Sequence, residues 1–432
     1  MKPSLYNFFV KNDDNTNTIV CFNALSFNYF NTSMEREKLL KDIIDNPDNY
    51  KDIIPSFYNK LKEGKFIIDD NINEFDIIIN KYNEQVNIKN YKLVIMPTLQ
   101  CNFRCWYCIQ RHIKGRMNEN ILHRVCSHIE YMVTNQKIRS LSIEWFGGEP
   151  FLYFSEIIQP ISEFAKKICE ENKTPFYSSA TTNGFLVTPQ IVGKIKTYNF
   201  NRFQITLDGD REYHNKTRVS KKASSFDTIL NNINYICSNL DCIVTIRVNY
   251  DDKNLNPERI VGQINQIISK ECRNKIGFAF RRVWQVKPFK GERELLKIGS
   301  RILRDEGYIV NVDLMQQFVP CYASRKYYNT ISFDGSVHKC TVKEDLHKSS
   351  LGCLSENGEI QWKIKDFEKI YYEPIFNNQQ CMKCKYLPIC MGPCTRRFEE
   401  NGLKMPTFLC PIGMTNGLEF EDSILNYCRR EH

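Results

Sequence analysis

The feature that most constrains the fold is a series of six short apolar runs separated by longer stretches of helical period. The runs are Leu93–Met96, Leu141–Phe146, Phe176–Thr181, Phe203–Leu207, Cys242–Val248 and Ile276–Val283. Between them, Ile121, Leu122, Val125, Ile129 and Met132 share one helical face. Phe226, Ile229, Leu230, Ile233, Ile236, Cys237 and Leu240 do the same, behind a Ser225 expected to cap the first turn. Asn256–Pro257 starts a further helix, a cap residue followed by Pro at the first helical position. The runs begin roughly 27 to 48 residues apart, which is the length a strand–helix–strand unit needs. Six such units predict an α/β chain with a partial (β/α)6 TIM-like barrel, whose chemistry sits in the loops where strands end.

The flanks read differently. Tyr6–Val10 and Thr18–Ala24 bracket the polar Asp13–Asp14–Asn15 as a hairpin does, and helical periodicity follows at Glu37–Ile44, Ile53–Leu61 and from Glu74 to about Tyr82. Residues 1–88 are therefore expected to form a small α+β, winged-helix-like module. Residues 89–310 would be the barrel. Residues 311–432 would be a loop-rich, cysteine-dense domain ending in a helix.

No apolar run approaches the length of a membrane span, and the N-terminus has no secretory pattern. A cytoplasmic location is expected. Thiols stay reduced there, so 18 cysteines are metal ligands, nucleophiles or buried small hydrophobes rather than a disulfide framework. The 59 basic and 50 acidic residues leave a net charge of +9. The basic pairs Lys221–Lys222, Arg281–Arg282 and Arg396–Arg397 are too sparse to interleave with aromatics on one face. Neither nucleic acid nor membrane is expected as a partner, although a zinc-stabilised nucleic-acid-binding protein is the alternative from another class.

Cys101, Cys105 and Cys108 follow directly on the first barrel strand. Three thiolates on one loop can reach three corners of a cubane iron–sulfur cluster and leave one iron open. A structural zinc ion would want a fourth ligand, and His112 is near enough in sequence to offer one.

The segment Cys101-Asn-Phe-Arg-Cys105-Trp-Tyr107-Cys108 resembles the signature loop of the radical S-adenosylmethionine (radical SAM) enzymes. That resemblance implies a [4Fe–4S] cluster whose open iron is chelated by SAM, with Tyr107 beside the adenine. It extends to Gly147-Gly148-Glu149-Pro150 after the second strand, where Glu149 would accept from the methionine ammonium. Thr182 and Asn183 after the third strand, with Thr206 and Asp208 after the fourth, would meet the ribose and carboxylate of SAM. Arg218 would clamp the carboxylate. His214 is expected to be structural, and no catalytic residue is assigned.

Further along, Cys321, Gly335, Cys340, Cys381, Cys384, Cys390, Cys394 and Cys410 are spaced like the SPASM extension of radical SAM enzymes. Their C-x2-C pairing alone would equally suit a zinc ribbon. By the resemblance, Cys381, Cys384, Cys390 and Cys410 hold an outer auxiliary [4Fe–4S] cluster and Cys321, Cys340 and Cys394 an inner one. Met315–Pro320 offers no further cysteine to the inner cluster, and Cys353 is a weak candidate.

The resemblance implies an oxidoreductase that reductively cleaves SAM to a 5′-deoxyadenosyl radical and removes a hydrogen atom from a peptide residue. The product would be an oxidised linkage, a thioether or a carbon–carbon cross-link, in a ribosomally made precursor peptide bound through a leader segment. The electron would come from a flavodoxin- or ferredoxin-type donor. Formylglycine maturation of sulfatases and dehydrogenation of a cofactor precursor are the alternatives. The first expects an Asp directly after the second extension cysteine, where this chain has Thr341.

Overall fold

The computed structural model describes residues 1–12, 17–218, 224–310, 316–343, 346, 349–404, 410 and 418–429. The Asp13–Asn15 turn, Lys221–Lys222 and Met315 lie outside them.

All six apolar runs are strands: Asn90–Ile95 (β1), Ser140–Trp145 (β2), Phe176–Thr182 (β3), Phe200–Leu207 (β4), Ile243–Tyr250 (β5) and Ile276–Arg282 (β6). They pair in parallel in chain order, each step crossed by a helix. The crossovers include Glu119–Thr134 (α1) and Ser225–Asn239 (α2), which carry the two apolar faces read from the sequence. Every residue of the Phe226–Cys237 set named above is buried. Asn256 caps Pro257–Asn265 (α3) by accepting from the Arg259 amide at 3.0 Å. Ser225 is not the cap that was expected. It is the first helical residue, buried, with its hydroxyl 3.0 Å from His214 Nε2. This arrangement is a partial α/β barrel around a central parallel sheet.

The sheet does not stop at six strands. Ile309–Val310 (β7) adds in parallel beyond β6, and Tyr328–Ile331 (β8) pairs in parallel with the free side of β1. From β8 the chain meanders antiparallel through Ser336–His338 (β9), Gly352–Leu354 (β10) and Ile360–Trp362 (β11). Asp334–Gly335 and Asn357–Gly358 make the turns β8–β9 and β10–β11, both glycines at positive φ. Loop structure was expected here, but these dipeptides supply the left-handed residue that a tight hairpin requires.

The chain forms two compact units. One comprises residues 89–311 and 327–367, and the other joins residues 1–88 with 312–326 and 368–432. In the latter, a three-stranded antiparallel sheet places Thr18–Asn23 between Asn7–Lys11 and Tyr29–Ser33. The helices Glu37–Asp45, Pro55–Glu63 and Glu74–Val86 follow. Tyr6, Phe8, Phe22, Ile78 and Tyr82 share a core with Phe376, Leu387, Ile389 and Ile424, which is why the N- and C-terminal segments are one body. Among the described residues no helix is long and apolar enough to cross a membrane.

Burial makes one histidine a pH sensor of stability. His128 on α1 is buried between the Tyr91 hydroxyl (2.5 Å) and the Gly358 carbonyl (2.6 Å), and burial pushes its pKa down to about 4. The unfolded chain takes this proton near pH 6.5 and the folded chain refuses it until about 4. Stability is therefore full above pH 6.5 and falls as pH drops toward 4, by roughly 3 kcal/mol at about 1.4 kcal/mol per unit. Urea midpoints across this range should show that slope, and His128→Gln should flatten it.

Candidate active site

The loop after β1 is built to hold its cysteines in place. Pro97 and Thr98 pair with Arg116 and Met117 across its base, and Thr98 Oγ1 donates to the Gly115 carbonyl at 2.5 Å. The Gly148 and Glu149 amides donate to the Thr98 and Gln100 carbonyls at 3.1 and 2.8 Å. The chain entering Cys101 is thus strapped to the chain leaving β2. Gly147 sits at φ +119°, and a side-chain carbon at either glycine would strike the 98–100 backbone. The glycine pair permits a close approach, as expected, but the approach is of the protein to itself.

Cys101, Cys105 and Cys108 line one cavity of about 240 Å3 at the strand ends, together with Tyr107, Gly147, Gly148, Thr182, Asn183, Thr206 and Arg218. Glu149 and Pro150 are not among its lining residues. Glu149 is fully buried, accepts from Thr182 Oγ1 (2.7 and 2.9 Å) and the Asn183 amide (2.8 Å), and caps the turn at Pro150 through the Phe151 amide. Its carboxylate serves the protein's own donors. Burial raises its pKa, against those hydrogen bonds.

Asp208 likewise lies behind the wall. Both of its oxygens accept from the Tyr107 hydroxyl at 2.7 Å, and Arg218 Nη1 donates to the same hydroxyl at 2.7 Å while standing 3.6 Å from Asp208. Burial disfavours the charge on Arg218, but Tyr107 and Asp208 outweigh it and keep the guanidinium protonated. Its Nε is buried without a hydrogen-bond partner. His214 is structural: fully buried, its Nδ1 accepts from the Asp208 amide at 3.3 Å.

The thiols are poised for ligation. None of the 18 cysteines forms a disulfide. Burial, then Glu149, pushes Cys101 up to about 11, and burial raises Cys105 against the pull of Arg218. Cys108 Sγ lies 3.6 Å from His112 Nε2, but no group of three His, Cys, Asp or Glu among the described residues surrounds a single-ion point. A cubane makes no such demand, because each thiolate binds its own iron. Asn183 Nδ2 lies 3.9 Å from Cys101 Sγ, a donor to the ligand sulfur of the kind that tunes such clusters.

In the other unit, Asn378 caps the turn of Cys381, whose carbonyl accepts from the Cys384 amide. Cys381, Cys384, Cys390 and Cys410 are electrostatic neighbours: burial raises Cys390 to about 12, and Cys384, Cys410 and Cys381 each add to it. The turns of Cys321 and Cys394 are tied by Ser324 and Thr395 hydroxyls 2.9 Å apart. Cys340, buried after β9, belongs to the barrel unit. Cys353 sits on β10 opposite Ser336, four residues back from Cys340.

Sequence reasoning missed part of the cavity wall: Gln204 on β4, Arg247 and Asn249 on β5, Arg282 on β6, then Trp284, Gln285 and Thr341. The signal was available. Arg247 and Asn249 alternate with apolar residues in a strand of a parallel sheet, where both faces are usually apolar. Gln285 Nε2 donates to the Tyr107 carbonyl at 3.1 Å, tying the loop after β6 to the cysteine loop.

Residues 95–262 match the Radical SAM superfamily. The barrel has the radical SAM partial-barrel fold. Its fold is shared with anSMEcpe, solved with bound AdoMet and the Cp18Cys peptide: TM-score 0.57, 17% identity, 79% of this chain and 99% of that one. Among curated relatives, the radical SAM cyclopropyl synthase TigE of Paramaledivibacter caminithermalis is 22% identical over 413 residues, 85% of this chain and 82% of the relative. GTP 3′,8-cyclase of Campylobacter jejuni subsp. doylei is 27% identical over 198 residues, 45% of this chain and 57% of that enzyme. The residues present fit the groups this domain uses. Three thiols line the cavity, and the orphaned Arg218 Nε at its wall is a donor that a carboxylate would satisfy.

Proposed function

We propose that this chain is a cytoplasmic radical SAM peptide maturase that forms an oxidised linkage in a precursor peptide. The observation that carries the reading is the cavity at the strand ends, which gathers Cys101, Cys105, Cys108, the glycine pair, Tyr107 and Arg218. The three cysteines would hold the cluster and Arg218 the carboxylate of SAM. Together these groups supply a hydrogen-atom abstractor; the protein supplies orientation and excludes side reactions. Tyr107, gripped by Asp208 and Arg218, fixes the third cysteine's neighbour against the wall, and Thr182, Asn183 and Thr206 offer hydrogen bonds to the nucleoside.

A peptide substrate is supported by the N-terminal module. Among the described residues Asn7–Lys11 pairs in the sheet only with Thr18–Asn23, and as an edge strand it offers a leader a place to add as a further strand. Thr341 at the cavity wall supplies no carboxylate, which argues against formylglycine maturation. We assign Cys381, Cys384, Cys390 and Cys410 to an outer auxiliary cluster on their spacing and on the closeness of Cys381, Cys384 and Cys410 to Cys390. Cys321 and Cys394 are assigned to an inner one.

The test is anaerobic incubation of reconstituted protein with SAM and dithionite, with and without the peptide of a neighbouring small open reading frame. 5′-Deoxyadenosine together with a peptide about two hydrogens lighter establishes the maturase. Deoxyadenosine with an unchanged peptide rejects that substrate, and none at all, from protein with iron and sulfide in place, rejects the reading. Cys381→Ala should lower product formation at least about tenfold more than SAM cleavage, an auxiliary step being asked for only about 1.4 kcal/mol. Equal loss of both would make the outer cluster structural.

A further inference from the structure

Three guanidinium groups line the cavity, those of Arg218, Arg247 and Arg282. Two are neutralised from within: Arg218 by Asp208, and Arg282 by Glu292, whose oxygens lie 2.5 and 2.6 Å from Nη1. Arg247 makes no ion pair within 4 Å among the described residues, and Asp208, the carboxylate that acts on it, is already paired with Arg218. Its Nε donates to Asn249 Oδ1 at 2.9 Å, and no other hydrogen bond fixes the guanidinium. On the next strand, Arg281 stands in register beside Asn249 and donates only to the Phe280 carbonyl at 3.4 Å. Burial first, then Arg281, works against the charge on Arg247, while Tyr107 and Asp208 favour it more weakly.

A cation half-buried in a parallel sheet, beside another cation and sharing its one carboxylate with Arg218, costs stability unless a ligand brings a further anion. SAM brings a single carboxylate, for which Arg218 with its orphaned Nε is already placed. The other charged centres of SAM, an ammonium and a sulfonium, are cations. The missing anion therefore belongs to the substrate.

We propose that Arg247 binds a carboxylate of the peptide substrate, so that the modified residue lies beside an Asp or Glu side chain. This rests on the peptide reading above. The planar fork of a guanidinium, steadied by Asn249, matches a carboxylate in two hydrogen bonds. Asn249 and Gln204 line the same wall and can donate to the adjoining peptide carbonyls. Trp284, exposed at 61% on the lining of the cavity, offers an apolar face for a neighbouring side chain. Arg247 is a specificity residue here, not a catalytic one.

The test is equilibrium binding to the SAM-loaded, reconstituted protein, by calorimetry, of the capped pentapeptide Ac-Ala-Ala-Glu-Ala-Ala-NH2 and its Gln counterpart. The Glu peptide should bind about tenfold tighter or more, the contrast expected of a charge-assisted pair. In Arg247→Gln the ratio should fall to near one, and Arg247→Lys should restore part of it. Equal binding of the two peptides to the unaltered protein, or no measurable binding of either, overturns the inference without depending on whether a variant folds. A loss of SAM affinity in Arg247→Gln equal to the loss of Glu-peptide affinity also overturns it and hands Arg247 to SAM. A precursor that is modified although it contains no acidic residue defeats this inference and leaves the maturase standing. Pyrophosphate bound through Arg247, with neither peptide bound, removes both.

Discussion

Protein carrying alanine at Cys101, Cys105 and Cys108 together forms no 5′-deoxyadenosine above the reagent background, a fall on the order of 1000-fold or more. The size of the effect follows from the site. The cavity brings these three thiols to one wall, and none of the other cysteines is among its lining residues. Loss of fold does not explain such a result. Cys108 is exposed, Cys101 and Cys105 are half-buried, and the loop is held by backbone pairing at Thr98 and Arg116 and by the Gly148 and Glu149 amides. The variant should therefore unfold near the parent's urea midpoint. Iron should fall by the content of one cluster and not to zero, because Cys381, Cys384, Cys390 and Cys410 lie in the other unit. Iron unchanged, with deoxyadenosine still formed, would remove the radical SAM assignment of this loop.

The parts of the fold legible in the sequence were those set by local pattern. The six strands were found because their apolar runs are bounded by helices of clear period, and Asn256–Pro257 because a cap and a first-turn proline act within four residues. The misses have physical causes. Ser224 precedes α2 at φ +20° without capping it through its side chain, since the helix is anchored instead by burial of Ser225 against His214. Asp334–Gly335 and Asn357–Gly358 are short-range hairpin signals that were passed over because the cysteines around them drew the segment toward a loop reading. Tyr29–Ser33 was missed as a strand since its residues are only partly buried and show no clean alternation. The union of the N- and C-terminal segments depends on contacts such as Tyr82 with Phe376, separated by most of the chain. No local pattern records those.

The candidate site divided the same way. Residue types and spacing identified the cysteine loop, Tyr107, Thr182, Asn183, Thr206 and Arg218 as a group, and the cavity gathers them. Spacing could not say which way a side chain turns. Glu149 and Asp208 face inward to protein donors, while Arg247 and Asn249, in no recognised motif, face the cavity. Alternation along β5 carried that information, because a guanidinium in a parallel strand is expensive and is kept there by a use.

The strap between β1 and β2 makes Gly148→Ala a strongly damaging single change outside the cysteines. The Gly148 backbone is not in the left-handed region, so the cost is one of space and not of dihedral strain. An added methyl would lie 2.5 Å from the Gln100 carbonyl carbon and 2.6 Å from the Leu99 oxygen. Both are backbone atoms with no rotamer to escape into, so the strap itself must open. Overpacking of this kind costs about 1–3 kcal/mol. The displaced segment leads directly into Cys101, so iron incorporation should fall together with stability. Gly193→Ala and Gly262→Ala are the controls. Both glycines are exposed in helices, with nothing within 4 Å of the added carbon. Each should gain about 0.5–1 kcal/mol from helix propensity and leave iron content unchanged. Gly148→Ala protein with the parent's urea midpoint and full iron would show that the strap does not position the cysteine loop. An unchanged midpoint with iron lost would show instead that the strap governs the loop's geometry without contributing to the stability of the barrel.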